Sequence, residues 1–278
     1  MLLSPSVGSG HAFMYAATKG QLTRAAFMAA GRARVISTAR RYELGLVDRP
    51  HYAFGMLNAA REAAALGLAS ITAVELGVAG GNGLLAMERH AQSVQSLTGV
   101  DVRVVGFDSG AGLTASADYR DLPHLWAEGD FAMDEAALRS RLTKAELVMG
   151  DVRETAGQFL TQVSQQSPLG FAAFDLDLWS STVGAFDIFR GAAPACLPRV
   201  WCYFDDIVAT VPDVGELLAI EEFNSEDHGR RIRHPWMLRA NVPFQPPWAD
   251  QMFQAHLFDH PAYTRLIAPK DSRELPLH

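Results

Sequence analysis

Five short apolar runs recur along this chain, each followed by a segment with helical spacing, and four of the five end on acidic residues. The runs are 71–76, 102–107, 147–149, 171–174 and 200–204. The helical segments after them are 84–94, 135–142, 155–163, 182–189 and 214–223. Apolar strands alternating with amphipathic helices specify a parallel sheet covered on both faces, because only a helical crossover returns the chain to the same edge. Two more strand candidates follow, 236–242 and 252–258, with 243–248 as the turn between them. The expected fold class is therefore α/β: a Rossmann-like, mostly parallel seven-stranded sheet closed by a C-terminal antiparallel hairpin. In such sheets ligands gather at the C-terminal ends of the strands.

Upstream of residue 71 the chain reads as helix. Residues 12–45 are rich in Ala, Met and charged residues, and 52–66 form an Ala-rich helix with Gly67 as its stop. The expected division is an N-terminal helical extension, 1–70, and a main domain, 71–278.

Composition removes several classes of function. Of 278 residues 49% are hydrophobic and 20% charged, with a formal net charge of −7, so no basic field exists to hold a nucleic-acid backbone. The densest basic cluster, Arg230, Arg231, Arg233 and Arg239, reads as a solvated edge. Two cysteines, Cys196 and Cys202, exclude a disulfide framework and fit a reducing cytoplasm. The N-terminus has no basic segment leading into an apolar run, and no stretch approaches 18 uninterrupted apolar residues. Neither a signal peptide nor a membrane span is expected.

The first strand end reads Val74-Glu-Leu-Gly-Val-Ala-Gly-Gly-Asn-Gly83. Glycines after a strand permit a sharp turn and close approach of backbone to ligand, and the following helix N-terminus attracts negative charge. Gly81-Asn-Gly83-Leu-Leu-Ala86 fits the G-x-G-x-x-A dinucleotide fingerprint, but that fingerprint begins immediately after its strand. Here Glu75 stands two residues before the first glycine, Gly77. That order suits S-adenosylmethionine (SAM), whose carboxylate and ammonium need backbone donors and a nearby negative charge.

Asp108, with Ser109 beside it, ends the second strand, where an acid can accept hydrogen bonds from both ribose hydroxyls or cap a helix. Asp151 and Val152 follow the third strand. Asp151 can reach an adenine amino group with Val152 against the ring face, and it can equally cap the helix that follows. After the fourth and fifth strands come Asp175-Leu-Asp177 and Asp205-Asp206. Converging carboxylates repel one another unless a cation lies among them, and hard oxygen donors favour Mg²⁺ over zinc. Without metal, one of these carboxylates can be a general base. His124, in the loop 119–126, reads as a surface residue within reach of an acceptor.

Together these motifs resemble the macrocin O-methyltransferase family of class I SAM-dependent methyltransferases. The likeness rests on Glu75-Leu-Gly-Val to Gly81, Gly106-Phe-Asp-Ser to Gly112-Leu113, Asp175-Leu-Asp-Leu-Trp-Ser-Ser-Thr182 and Phe204-Asp-Asp206, and spans about residues 70–210. It implies a Mg²⁺-assisted transfer of a methyl group to a hydroxyl of a sugar or glycosylated natural product. It also implies that Glu75, Gly77 and Gly81 hold the methionine end of SAM and that Asp108 holds its ribose. Asp175, Asp205 and Asp206 become the metal ligands, with Asp175 beside the reacting hydroxyl. A small-molecule partner, no nucleic acid, no membrane and a homodimer complete the expectation. The chain departs from the pattern at Gly80, Thr114 and Trp179, where an arginine, a proline and a tyrosine are usual.

Overall fold

The computed structural model describes residues 36–209, 211–227 and 229–267. The helical expectation for residues 12–35 lies outside them. Seven strands form one sheet: β1 (Ser70–Leu76), β2 (Asp101–Asp108), β3 (Glu146–Met149), β4 (Leu169–Phe174), β5 (Cys196–Phe204), β6 (Arg230–Arg233) and β7 (Met252–Leu257). Their spatial order is β3-β2-β1-β4-β5-β7-β6. Strands β1 to β5 pair in parallel, while β7 runs antiparallel to both β5 and β6. The α/β sheet expected from the apolar runs is thus present. Its order reverses between β1 and β4, the switch point at which the C-terminal strand ends open a crevice.

Among the described residues, eight α-helices connect or cover the strands: α1 (Thr38–Glu43), α2 (Pro50–Leu66), α3 (Asn82–Thr98), α4 (Glu135–Arg141), α5 (Val152–Leu160), α6 (Trp179–Ala185), α7 (Gly215–Ser225) and α8 (Leu238–Asn241). A proline begins α2, where its missing N–H is no loss, and Gly67 ends it at φ 82°. Helix α2 lies against the sheet: Tyr52, Met56 and Ala60 share a buried cluster with Ile71, Phe171 and Tyr203. At Gly55 a Cβ would stand 2.3 Å from the Phe171 ring, so the absent side chain lets helix and strand approach closely.

On the opposite face Phe174 stacks on Phe204 at 4.6 Å, and Phe186, Phe189 and Phe223 close around them. Each of these rings is under 2% exposed, and full burial of one is worth about 1.5–3 kcal/mol. This packing anchors the ends of β4 and β5, which carry the acids.

The terminal hairpin corrects one expectation. Residues 236–242 are not a strand: Met237 is left-handed and 238–241 form a single helical turn. The partner of β7 is Arg230–Arg233, where Ile232 alone points an apolar side chain into the core. Of the arginines read as a solvated edge, Arg230, Arg231 and Arg233 form the sheet edge β6 and Arg239 lies exposed on α8. Arg230 is buried, paired with Asp259 and donating to the Phe189 and Gly191 carbonyls. Among the described residues, no helix is long and apolar enough to cross a membrane.

Candidate functional site

A cavity of about 380 Å³ opens at the C-terminal ends of the strands. Of the residues singled out from the sequence, Gly77, Asp108, Ser109, Asp151, Val152, Asp175, Asp205 and Asp206 line it. Glu75 and Gly81 do not; they lie behind the turn and shape it.

The turn is built from steric necessity. At Gly77 (φ 85°) a Cβ would fall 1.8 Å from the Asp175 carbonyl, so the loops after β1 and β4 meet only because Gly77 lacks one. Gly81 (φ 79°) caps the N-terminus of α3, and a Cβ there would collide with Leu138 at 2.2 Å. At Gly83 a Cβ would meet Glu75 Oε1 at 1.7 Å. Gly81 and Gly83, the two glycines of the dinucleotide-like fingerprint, thus make room for protein rather than for a ligand.

Glu75 is 2% exposed. Its Oε1 accepts the Tyr52 hydroxyl at 2.8 Å, while Oε2 has no partner among the described residues. Burial pushes this carboxyl up to about 8, against the opposing effect of the Tyr52 hydrogen bond.

Asp108 is more occupied than a ribose acceptor needs to be. Its Oδ2 accepts from Val78 N and Ala79 N, both at 2.8 Å, and its Oδ1 accepts from Gly110 N at 2.7 Å. It therefore clamps the turn after β1 to the loop after β2, and faces the cavity while doing so. Ser109 joins the same loop, accepting from Ala111 N and donating to the Gly112 carbonyl. Asp151 caps α5 through Arg153 N at 2.9 Å and pairs with the Arg153 guanidinium. Both sequence readings of Asp151, helix cap and cavity residue, are compatible with this geometry.

The acids after β4 and β5 form the other half of the cavity wall. Burial, then the negative charges of Asp205 and Asp206, push Asp175 up to about 7. Burial, then the charges of Asp206, Asp175 and Asp205, raise Asp177 to about 8, and burial, then the charge of Asp205, raise Asp206 to about 6. Asp205 Oδ1 accepts the Tyr203 hydroxyl at 2.6 Å, and Asp206 Oδ2 accepts Asp177 N at 3.1 Å. Behind them lies Glu216, fully buried, accepting from Asp206 N at 3.1 Å with its Oε1 unpartnered. As donors these carboxylates suit a hard divalent cation, whose charge would relieve their mutual repulsion. As they stand, no group of three His, Cys, Asp or Glu among the described residues is gathered closely enough to hold one.

Asp177 (φ 59°), read from the sequence with Asp175 as an acid after the fourth strand, also lines the cavity. Three further lining residues are not among those first singled out: Trp126, Asp130 and Phe131, with Trp126 and Phe131 edge to face at 6.0 Å. Their signal was the aromatic and acidic loop between β2 and α4, which has no fixed period to read. His124 is exposed on that loop, outside the cavity lining.

No family model and no curated protein matches the chain. Solved structures similar to it include CalS11, a calicheamicin methyltransferase, at 22% identity, covering 78% of this chain and 88% of that one with a TM-score of 0.44. Cofactor-bound Rv0187 from MTB is 15% identical, covering 88% and 92%, with a TM-score of 0.38. The plantazolicin methyltransferase BpumL, in complex with SAH and a triazolic desmethylPZN analog, is 11% identical, covering 84% and 94%, with a TM-score of 0.31. What the cleft of this chain can do is read from its own residues.

Proposed function

We propose that this chain is a SAM-dependent O-methyltransferase of the macrocin O-methyltransferase kind, acting on a hydroxyl of a small sugar or glycosylated natural product. One observation carries the reading. A single cavity joins the glycine turn, Asp108 and Asp151 on one side to Asp175, Asp205 and Asp206 on the other. Donor and acceptor can therefore lie end to end within it, which is the requirement of an in-line transfer.

In this reading Gly77 and Ala79 receive the methionine end of SAM, Asp108 and Ser109 the ribose, and Asp151 with Val152 the adenine. Gly81 and Glu75 support the turn from behind, and Glu75 is the acid that the ammonium would draw into its charged form on binding. Asp175 holds the acceptor hydroxyl and takes its proton as the oxygen attacks the methyl carbon and the carbon–sulfur bond breaks. A carboxylate raised to about 7 is matched to that task near neutral pH. If Mg²⁺ binds, Asp175, Asp205 and Asp206 would have to draw closer together to hold it, and it would lower the pKa of a coordinated hydroxyl. Phe107, Leu176 and Leu178 give the wall an apolar stretch that would limit the water reaching the transfer.

The same reading divides the chain into an N-terminal extension to residue 70 and a methyltransferase domain from residue 71. It also places the protein in the cytoplasm as a homodimer, which sedimentation would test.

Calorimetric titration with S-adenosylhomocysteine (SAH), followed by a screen of hydroxylated acceptors for SAM turnover with and without Mg²⁺, tests the function. Absence of SAH binding defeats the cofactor assignment. Turnover that survives exhaustive chelation defeats the metal assignment alone and leaves Asp175 as an unaided base.

A further inference from the structure

Four consecutive residues at the start of α2, Arg49-Pro50-His51-Tyr52, lie upstream of the sheet, yet two of them connect to acids of the site. The Tyr52 hydroxyl donates to Glu75 Oε1 at 2.8 Å, and Tyr52 is 0% exposed. His51 lies flat on the Tyr203 ring, centroids 4.1 Å apart, and the Tyr203 hydroxyl donates to Asp205 at 2.6 Å. Tyr52 and Tyr203 also meet edge to face at 5.6 Å, and the Arg49 guanidinium stands over the Tyr52 ring at 5.4 Å. The helix start is thus wedged between the acid of the glycine turn and an acid after β5.

Glu75 needs such a wedge. It sits between α2 and α3 with a single hydrogen-bond partner among the described residues, and Gly83 of α3 leaves it the space it occupies. A buried carboxyl with one oxygen held and the other unpartnered has its orientation set by the held one. We infer that Tyr52 is a positioning residue for cofactor binding: its hydroxyl fixes Oε1 of Glu75, leaving Oε2 free to meet the positive charge of the ligand in the adjoining turn. Gly83 serves the same end from the opposite side. This rests on the SAM reading above, and goes beyond it by assigning a role to the helix that precedes the sheet.

The test is SAH affinity, measured by calorimetry on the intact chain and on three variants. Tyr52→Phe removes only the hydroxyl. Gly83→Ala builds a methyl group 1.7 Å from the present position of Oε1 and so displaces Glu75 from the other side while keeping the Tyr52 hydroxyl, which gives a second, independent variant to read. Tyr42→Phe is the control, because it also removes one buried hydroxyl, bonded to His90 Nδ1 at 2.7 Å, away from the turn. Tyr52→Phe and Gly83→Ala are each expected to weaken SAH binding by about tenfold or more, the scale of one hydrogen bond to a charged group. Tyr42→Phe is expected to leave it within about twofold, whatever it costs in thermal stability. Wild-type affinity in a folded Tyr52→Phe or Gly83→Ala variant overturns the inference, as does an equal loss in Tyr42→Phe. If the unaltered chain itself fails to bind SAH, the SAM reading has failed and the inference falls with it.

Discussion

The backbone N–H of Asp177 donates to the carboxylate of Asp206 at 3.1 Å, tying the loop after β4 to the loop after β5. Asp206 is held in turn by its own N–H, which donates to Glu216. The two acidic loops therefore act as one unit, and a change at Asp206 reaches Asp175 through Asp177. With an acceptor from the screen, Asp206→Ala should lower turnover by more than about tenfold, or 1.4 kcal/mol of barrier. SAH affinity should change by less than about threefold, since the cofactor turn lies across the cavity. Parallel kinetics and calorimetry check the split; loss of SAH affinity with turnover intact would reverse the assignment.

Asp108 accepts from three backbone N–H groups in two loops. Asp108→Ala leaves those donors without their acceptor and should cost about 2–4 kcal/mol in urea unfolding, together with at least tenfold in SAH affinity. Asp108→Asn keeps one acceptor oxygen and should fall between. Were Asp108 solely a ribose contact, affinity would drop while stability stayed unchanged.

Two left-handed glycines separate strain from collision. At Gly67 (φ 82°) nothing stands within 4 Å of a built Cβ, so Gly67→Ala should cost about 1–2 kcal/mol, the left-handed penalty alone. At Gly77 the Asp175 carbonyl stands 1.8 Å away, and Gly77→Ala should cost more than about 3 kcal/mol. Chemical denaturation of the two variants ranks them; equal costs would mean the turn can shift away from Asp175.

Burial raises Glu75 from 4.5 to about 8 in the folded protein. The folded state thus favours the protonated form over the unfolded chain. The stability this contributes is whole below about pH 4.5 and is lost as the pH climbs towards 8. The unliganded protein should therefore melt lower at pH 8.5 than at pH 6, and Glu75→Gln should flatten that slope. An unchanged slope in Glu75→Gln would show that other groups carry it.

Cys196 and Cys202 are 2% and 0% exposed. Burial pushes the Cys196 thiol up to about 12, and Cys202 is raised by the same cause. Neither should react with iodoacetamide at pH 8 in the native protein, and both should react in denaturant, as mass spectrometry will count.

Strands β1, β2, β4 and β5 were legible because each is a short apolar run largely buried by the layers on both faces, and β3, half-buried at the sheet edge, because Leu147-Val148-Met149 is apolar all the same. Strand β6 was not, since Arg230, Arg231 and Arg233 leave Ile232 as its only apolar residue, and its edge position is a fact of tertiary pairing. The acids at the strand ends could be read for the same reason as the strands. Their partners could not. Tyr52 meets Glu75 and Tyr203 meets Asp205 through side-chain directions that no spacing rule encodes. Asp108 shows the limit from the other side: its place at the strand end was evident, but its three backbone bonds depend on how the glycine turn folds back over it.

The order β5-β7-β6 sets a condition on how the sheet is completed during synthesis. Strand β7 is made after both of its neighbours and must enter between them. Until residue 257 has left the ribosome, the edge of β5 beside the acidic loops lacks its partner strand, and β6 has no strand to pair with, only Asn224 of α7 against Ile232. A nascent chain stalled before β7 would expose two open edges able to recruit strands from other chains. Gln251, at the threshold of β7, donates its amide to the Asp205 carbonyl at 2.8 Å. The last strand to emerge thus also locks the acidic loop, so a partly synthesised chain has no finished site.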